Sequence, residues 1–151
     1  MLLVGLHPQR LAGLPALGIA TAVYGDGSAD AVQDWAPRAA IDTVQSDDAF
    51  REYVEVLPRA GQVVFSGHAP DGVRSWADMS TMQQRELTAS FVSGWQRDRI
   101  DATLALMRDG AMPLETLAAP AAASTEAIER LLRDVAAGAQ GPVAAIVDWR
   151  A

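Results

Sequence analysis

Apolar positions along this chain form short runs that alternate with stripes of helical spacing. Residues 2–6 are a short apolar run, which predicts a strand. In residues 17–24, Leu17, Ile19, Thr21 and Val23 alternate with smaller side chains, and Gly25-Asp26-Gly27 ends the run, so a second strand is expected there. Residues 29–35 suit one or two helical turns that stop before Pro37. Ser46 is placed to cap a helix, with Asp47 and Asp48 in the first turn, where the helix dipole favours anions. Phe50, Tyr53, Val54 and Leu57 then fall on one helical face, and Pro58 closes it. Gln62-Val63-Val64-Phe65-Ser66, between Gly61 and Gly67, predicts a short buried strand.

The pattern next predicts one long helix. Ser80 with Gln83 three residues on is a capping-box spacing. Leu87, Phe91 and Trp95 repeat every four residues, and Ile100, Leu104, Met107 and Ala111 carry a stripe onward. The two stripes differ in phase near Gly94, which points to a kink or a break there. Gly110 and Pro113 end the run. Phe91 and Trp95 are expected in the core. Residues 114–123 are an Ala/Pro linker. Ser124 caps a last helix with face Ile128, Leu131, Leu132 and Val135, closed at Gly138, and residues 143–147 predict a final strand. The expected fold is α/β or α+β, a single globular domain over residues 1–151. It has a small sheet of about four short strands packed with three to four helices. A mostly helical protein, with the short runs as buried loops, is the alternative.

Composition narrows the chemistry. The chain holds no Cys, no Lys and no Asn, so all twelve basic side chains are Arg, and there are two His, His7 and His68. Cys nucleophiles, Schiff-base lysines, a P-loop lysine, thiolate zinc sites and disulfides are excluded. The formal charge is −7, and acids concentrate over residues 26–55. Such a surface repels phosphate backbones and argues against a nucleic-acid partner. No apolar run reaches the ~20 residues of a membrane-spanning helix. Arg10 precedes an apolar stretch over residues 11–22 that ends in Ala20-Thr21-Ala22, the A-x-A form of a cleavage site. Gly13, Pro15 and Gly18 interrupt it. A buried strand in a cytoplasmic protein is therefore expected, with export and cleavage after Ala22 as the alternative.

Four places carry candidate chemistry. The loop Ser66-Gly67-His68-Ala69-Pro70-Asp71-Gly72 leaves a predicted strand, and open α/β sheets build sites at the carboxyl ends of strands. His68 there suits a general base, Asp71 its orienting partner and Ser66 a reacting hydroxyl; the bland reading is an exposed turn. Gly25-Asp26-Gly27-Ser28 is a Gly-rich turn before a helix, yet it lacks the third glycine of G-x-G-x-x-G, and Asp26 and Asp30 would repel phosphate. His7 stands in no metal-ligating spacing and reads as a turn residue before Pro8. Trp95, Arg97, Arg99 and Trp149 are residue types favoured at partner contacts. No metal set or cofactor fingerprint is present, so no cofactor is expected. By elimination, the sequence predicts a non-catalytic accessory, assembly or structural protein. It would work through a protein partner or self-association, for example as a component of a larger complex or virion. The alternative is a small enzyme or ligand-binding domain using the 66–71 loop, with His68 as general base.

Overall fold

The computed structural model describes residues 1–25, 27–67, 78–92, 94, 96–112, 121–137 and 146–148. Its contacts divide it into two compact units, one of residues Met1–Tyr24 and Thr103–Ala151, the other of Gly25–Ala102.

In the first unit, strand β1 (Leu2–Gly5) and strand β2 (Ala20–Val23) pair in parallel, with Leu2 opposite Ala20 and Gly5 opposite Val23. Parallel neighbours need a crossover. Here it is short: helix α1 (Pro8–Leu11) and a 3-10 turn (Leu14–Leu17). Leu11 and Leu14 are buried and supply its apolar face. Gly18 ends the 3-10 turn at φ +75°, a left-handed conformation glycine adopts without strain, and its N–H donates to the Leu14 and Pro15 carbonyls. Ala20-Thr21-Ala22 is thus part of a paired strand. Among the described residues, no helix is long and apolar enough to cross a membrane. This unit also holds helix α6 (Thr125–Ala136), where Ser124 Oγ accepts the Ala127 N–H at 3.2 Å, the cap that the sequence predicts. Of the expected final strand, residues 143–145 lie outside the described residues; Val147 bridges Ala122 in parallel.

The second unit contains helix α2 (Ser28–Trp35), strand β3 (Ala39–Asp42), helix α3 (Asp47–Val54), strand β4 (Gln62–Ser66), helix α4 (Met79–Gln84) and strand β5 (Thr88–Val92). The sheet order is β3-β4-β5, all parallel. Period-2 alternation decides its faces. Val63 and Phe65 turn inward, 0% and 2% exposed, onto Phe50, Val54, Leu57 and Met82, while Ile41 points away and is 71% exposed. Ser46 Oγ accepts the Ala49 N–H at 3.2 Å, so the predicted α3 cap is real. Ser28, 1% exposed, accepts the Gly25 N–H and donates to Glu52 at 2.7 Å, which ties α2 to α3.

The α/β class is as expected, and the mostly helical alternative is not what forms; the strands number five in two sheets among the described residues. The long helix is corrected. It is α4, then β5, then helix α5 (Arg97–Arg108). Asp78, not Ser80, caps α4, its carboxylate accepting the Ser80 and Thr81 N–H groups at 2.9 and 3.3 Å. The misreading has a geometric cause. Residues four apart share a face in a helix, and four is also even, so they share a face in a strand. The spacing of Leu87, just ahead of β5, and Phe91 within it is therefore compatible with either element. Phe91 is not core: it is 78% exposed, its ring 5.0 Å from that of Phe65. Trp95 lies outside the described residues. Strand β3 was not foreshadowed, because Ala39 and Ala40 carry little hydrophobic signal.

Phe50→Ala should therefore lower unfolding free energy by about 3–5 kcal/mol, as removal of a buried aromatic does. Phe91→Ala should cost about 1 kcal/mol or less, the worth of an aromatic pair at a surface. Urea unfolding of both variants checks the contrast, and equal losses would return Phe91 to the core.

Candidate functional site

Strand β3 ends on Asp42, which is 5% exposed. Oδ1 accepts the backbone N–H groups of Val44 and Gln45 at 2.9 and 2.8 Å, an Asx-type turn that brings Gln45 to φ +55°. Oδ2 accepts the Tyr53 phenol at 2.8 Å. Tyr53 comes from the second turn of α3, so one carboxylate binds strand, loop and helix together. Burial pushes the Tyr53 phenol well above its ordinary value, and the hydrogen bond to Asp42 and the Asp42 charge push it further. Tyr53 is thereby held protonated as a donor. It is a clamp and not an acid–base group.

Strand β4 ends beside this loop. Ser66 is its last residue and is half-buried. Gly67 follows, and a Cβ placed there would stand 2.7 Å from the Thr43 carbonyl and 2.9 Å from Gln45 Nε2. Only glycine lets the two strand ends lie so close. The carboxyl edge of this sheet thus presents Thr43, Gln45, Ser66 and Gly67 on a braced floor, at the end where open α/β sheets bind ligands. A cleft of about 620 Å3 lies at the opposite, amino end, between Pro37-Arg38-Ala39 and the segment Pro58 to Gln62. Its Arg59 is already engaged with Glu86.

Of the residues expected at a site, Ser66 stands on this edge, while His68 and Asp71 lie outside the described residues, as do Trp95 and Trp149. Arg97 and Arg99 open α5, and Arg97 is held by Asp101 of its own helix at 3.1 Å. Asp42 and Tyr53 were missed as a pair. The signal available was Asp42 closing a short apolar run, with Tyr53 on the predicted α3 face eleven residues later. Among the described residues, no group of three or more His, Asp or Glu is placed to hold a metal ion.

In the first unit, β1 runs into Gly5-Leu6-His7-Pro8-Gln9-Arg10 and α1. Leu11 Cδ2 would stand 3.1 Å from a Cβ at Gly5, so that glycine makes room for the chain's own leucine. Pro8 opens the four-residue helix, and His7 contributes no side-chain cap.

No protein family and no curated protein matches the sequence. Solved structures do. In fold, the chain is similar to dehydrogenases. Over 97% of its length it matches 2R,3R-butanediol dehydrogenase from Bacillus subtilis, at a TM-score of 0.72 and 18% identity. Over 91% it matches benzyl alcohol dehydrogenase from Acinetobacter calcoaceticus, at 0.68 and 19%. Over 93% it matches galactitol-1-phosphate dehydrogenase from Escherichia coli, at 0.68 and 19%. The chain spans 42%, 40% and 44% of those three proteins, so it corresponds to about two-fifths of each.

This likeness overturns the expectation of a non-catalytic accessory, assembly or structural protein, including a virion or complex component. That expectation rested on a thin inventory of reactive side chains. The fold instead matches part of several enzymes. In such folds the site is assembled at strand ends by tertiary structure, so a sparse linear motif content is a poor guide to catalysis.

The clamp gives a pH test. Because the folded pKa of Tyr53 is raised, its contribution to stability is complete below the ordinary tyrosine value of 10.0 and is lost as pH rises above it. Stability should fall above about pH 10, and Tyr53→Phe should lack that part of the fall. At neutral pH the same variant should cost about 1–3 kcal/mol, because Asp42 Oδ2 loses its buried donor. Denaturation curves at pH 7, 9 and 10.5 check both; an unchanged pH profile in the variant would remove the clamp.

Proposed function

We propose that this chain forms the α/β part of an oxidoreductase of the alcohol-dehydrogenase kind, interconverting a small alcohol or polyol and its carbonyl counterpart, with the hydride passing to or from a nicotinamide-type co-substrate. One observation carries the reading: nearly the whole chain, 91–97% of it, follows the fold of dehydrogenases acting on a diol, an aromatic alcohol and a sugar-alcohol phosphate. The geometry of the β3-β4-β5 sheet supports placing the working face at its carboxyl edge. Asp42 and Tyr53 brace the Thr43–Gln45 turn there, and Gly67 lets β4 end against it.

The role of these residues is positional. A ligand seated on this edge meets the Ser66 hydroxyl, the Gln45 amide and backbone groups whose positions do not drift, which lowers the ordering cost of binding. Tyr53 stays protonated and Asp42 is consumed by three hydrogen bonds, so neither moves a proton. His68, two residues past Ser66 in sequence, is the side chain this reading assigns to proton transfer, because an imidazole titrates near neutrality.

Titration of the 15N-labelled chain with 2,3-butanediol, benzyl alcohol and a sugar-alcohol phosphate tests the face. Amide shifts should cluster at Thr43–Gln45 and at Ser66–Gly67. Shifts confined to Arg38 and the 58–62 segment would move the site to the opposite edge and sink the reading. In a turnover assay, His68→Ala should lower kcat by about 10²–10⁴-fold with an unchanged melting temperature.

A further inference from the structure

Open parallel α/β folds of the dehydrogenase kind hold a dinucleotide at the first β–α turn. Three glycines make that turn: one bends it, one lets backbone approach the pyrophosphate, and one lets helix and strand pack closely. The helix N-terminus then supplies N–H donors and a positive dipole end. We infer that the β1–α1 turn of this chain does not hold a dinucleotide diphosphate, because its own side chains occupy the place where one would lie. The inference rests on the oxidoreductase reading for its expectation of such a cofactor, and on the first unit alone for its evidence.

Four observations converge. First, the glycine spacing falls on residues 5, 7 and 10, and these are Gly5, His7 and Arg10. Two side chains project where the motif requires none. Second, the glycine that remains is spent internally, since the buried Leu11 side chain fills the space over Gly5. Third, the helix end offers fewer donors than the motif supplies. Pro8 opens α1 and has no N–H, and the Arg10 N–H is already bonded to the His7 carbonyl at 3.0 Å. Helix α1 is four residues long, a single turn with little dipole to offer. Fourth, just past β2, Tyr24 donates its N–H to the Gly5 carbonyl at 3.0 Å, closing the β1 and β2 ends on each other.

Isothermal titration of the full chain with NADH and NADPH decides the matter, run beside His7→Ala and Arg10→Ala, two changes outside the buried core. The expected result is no saturable binding tighter than about 1 mM. Saturable binding that changes less than about twofold in both variants, but is lost in Ser66→Ala, also upholds the inference and places the cofactor at the carboxyl edge of the other sheet. Micromolar binding that weakens about tenfold or more in Arg10→Ala or His7→Ala overturns it, and leaves the oxidoreductase reading standing. The reading itself fails separately, when the alcohol titration leaves the Thr43–Gln45 and Ser66–Gly67 amides unmoved.

Discussion

The carboxylate of Asp42 is the interaction on which the larger unit depends. A buried carboxylate is costly unless hydrogen-bond donors reach it. Asp42 finds three, two from the backbone of its own turn and one from Tyr53. The result joins the end of β3, the loop after it and the second turn of α3. Helix α3 in turn delivers Phe50 and Val54 onto Val63 and Phe65 of the sheet. Were Asp42 left without Tyr53, the polar end of the clamp would be buried and unpaired beside the apolar core, a combination more damaging than losing either contact in water.

The same clamp separates the two edges of the sheet. At the carboxyl edge the chain is braced by side chain to backbone bonds and by a glycine that admits a close approach. At the amino edge, the links are peripheral: the Arg85 guanidinium to the Leu57 carbonyl, the Ala60 N–H to the Arg85 carbonyl, and the exposed Arg59–Glu86 pair. Exposed ion pairs of that sort contribute little. A ligand gains most from groups already held in place, which is why the proposed site lies on the braced edge although a cleft opens at the other.

Fold and site part company in the first unit. The parallel β1–β2 pair with a helical crossover has the connectivity of a dinucleotide-binding start. Yet the turn between β1 and α1 is packed with Leu11 and leads into Pro8 at the first helical position, which suits self-packing. Sites are grafted on folds and can be lost from them while the fold persists, because the strands are held by burial and backbone pairing that a change of turn residues leaves intact. Likeness to dehydrogenases at 18–19% identity is a statement about backbone, and the chemistry has to be argued from Ser66, Gly67 and the Asp42 clamp.

The sequence by itself determined the local pieces whose signals are local. Ser46 and Ser124 cap the helices they precede, since a cap needs only a hydroxyl and an N–H three residues on. Gln62–Ser66 is a strand because a run of Val and Phe between glycines has few other uses. Tertiary structure decided what local signals leave degenerate. The four-residue repeat of Leu87 and Phe91 fits helix and strand alike, and pairing with β4 settled Thr88–Val92 as β5. Strand β3, half alanine, became a strand through its parallel register with β4 and through Asp42, whose partner Tyr53 lies eleven residues away. The carboxyl-edge floor was equally out of reach. Thr43 and Gly67 are 24 positions apart, and no spacing rule brings them together until two parallel strands end side by side.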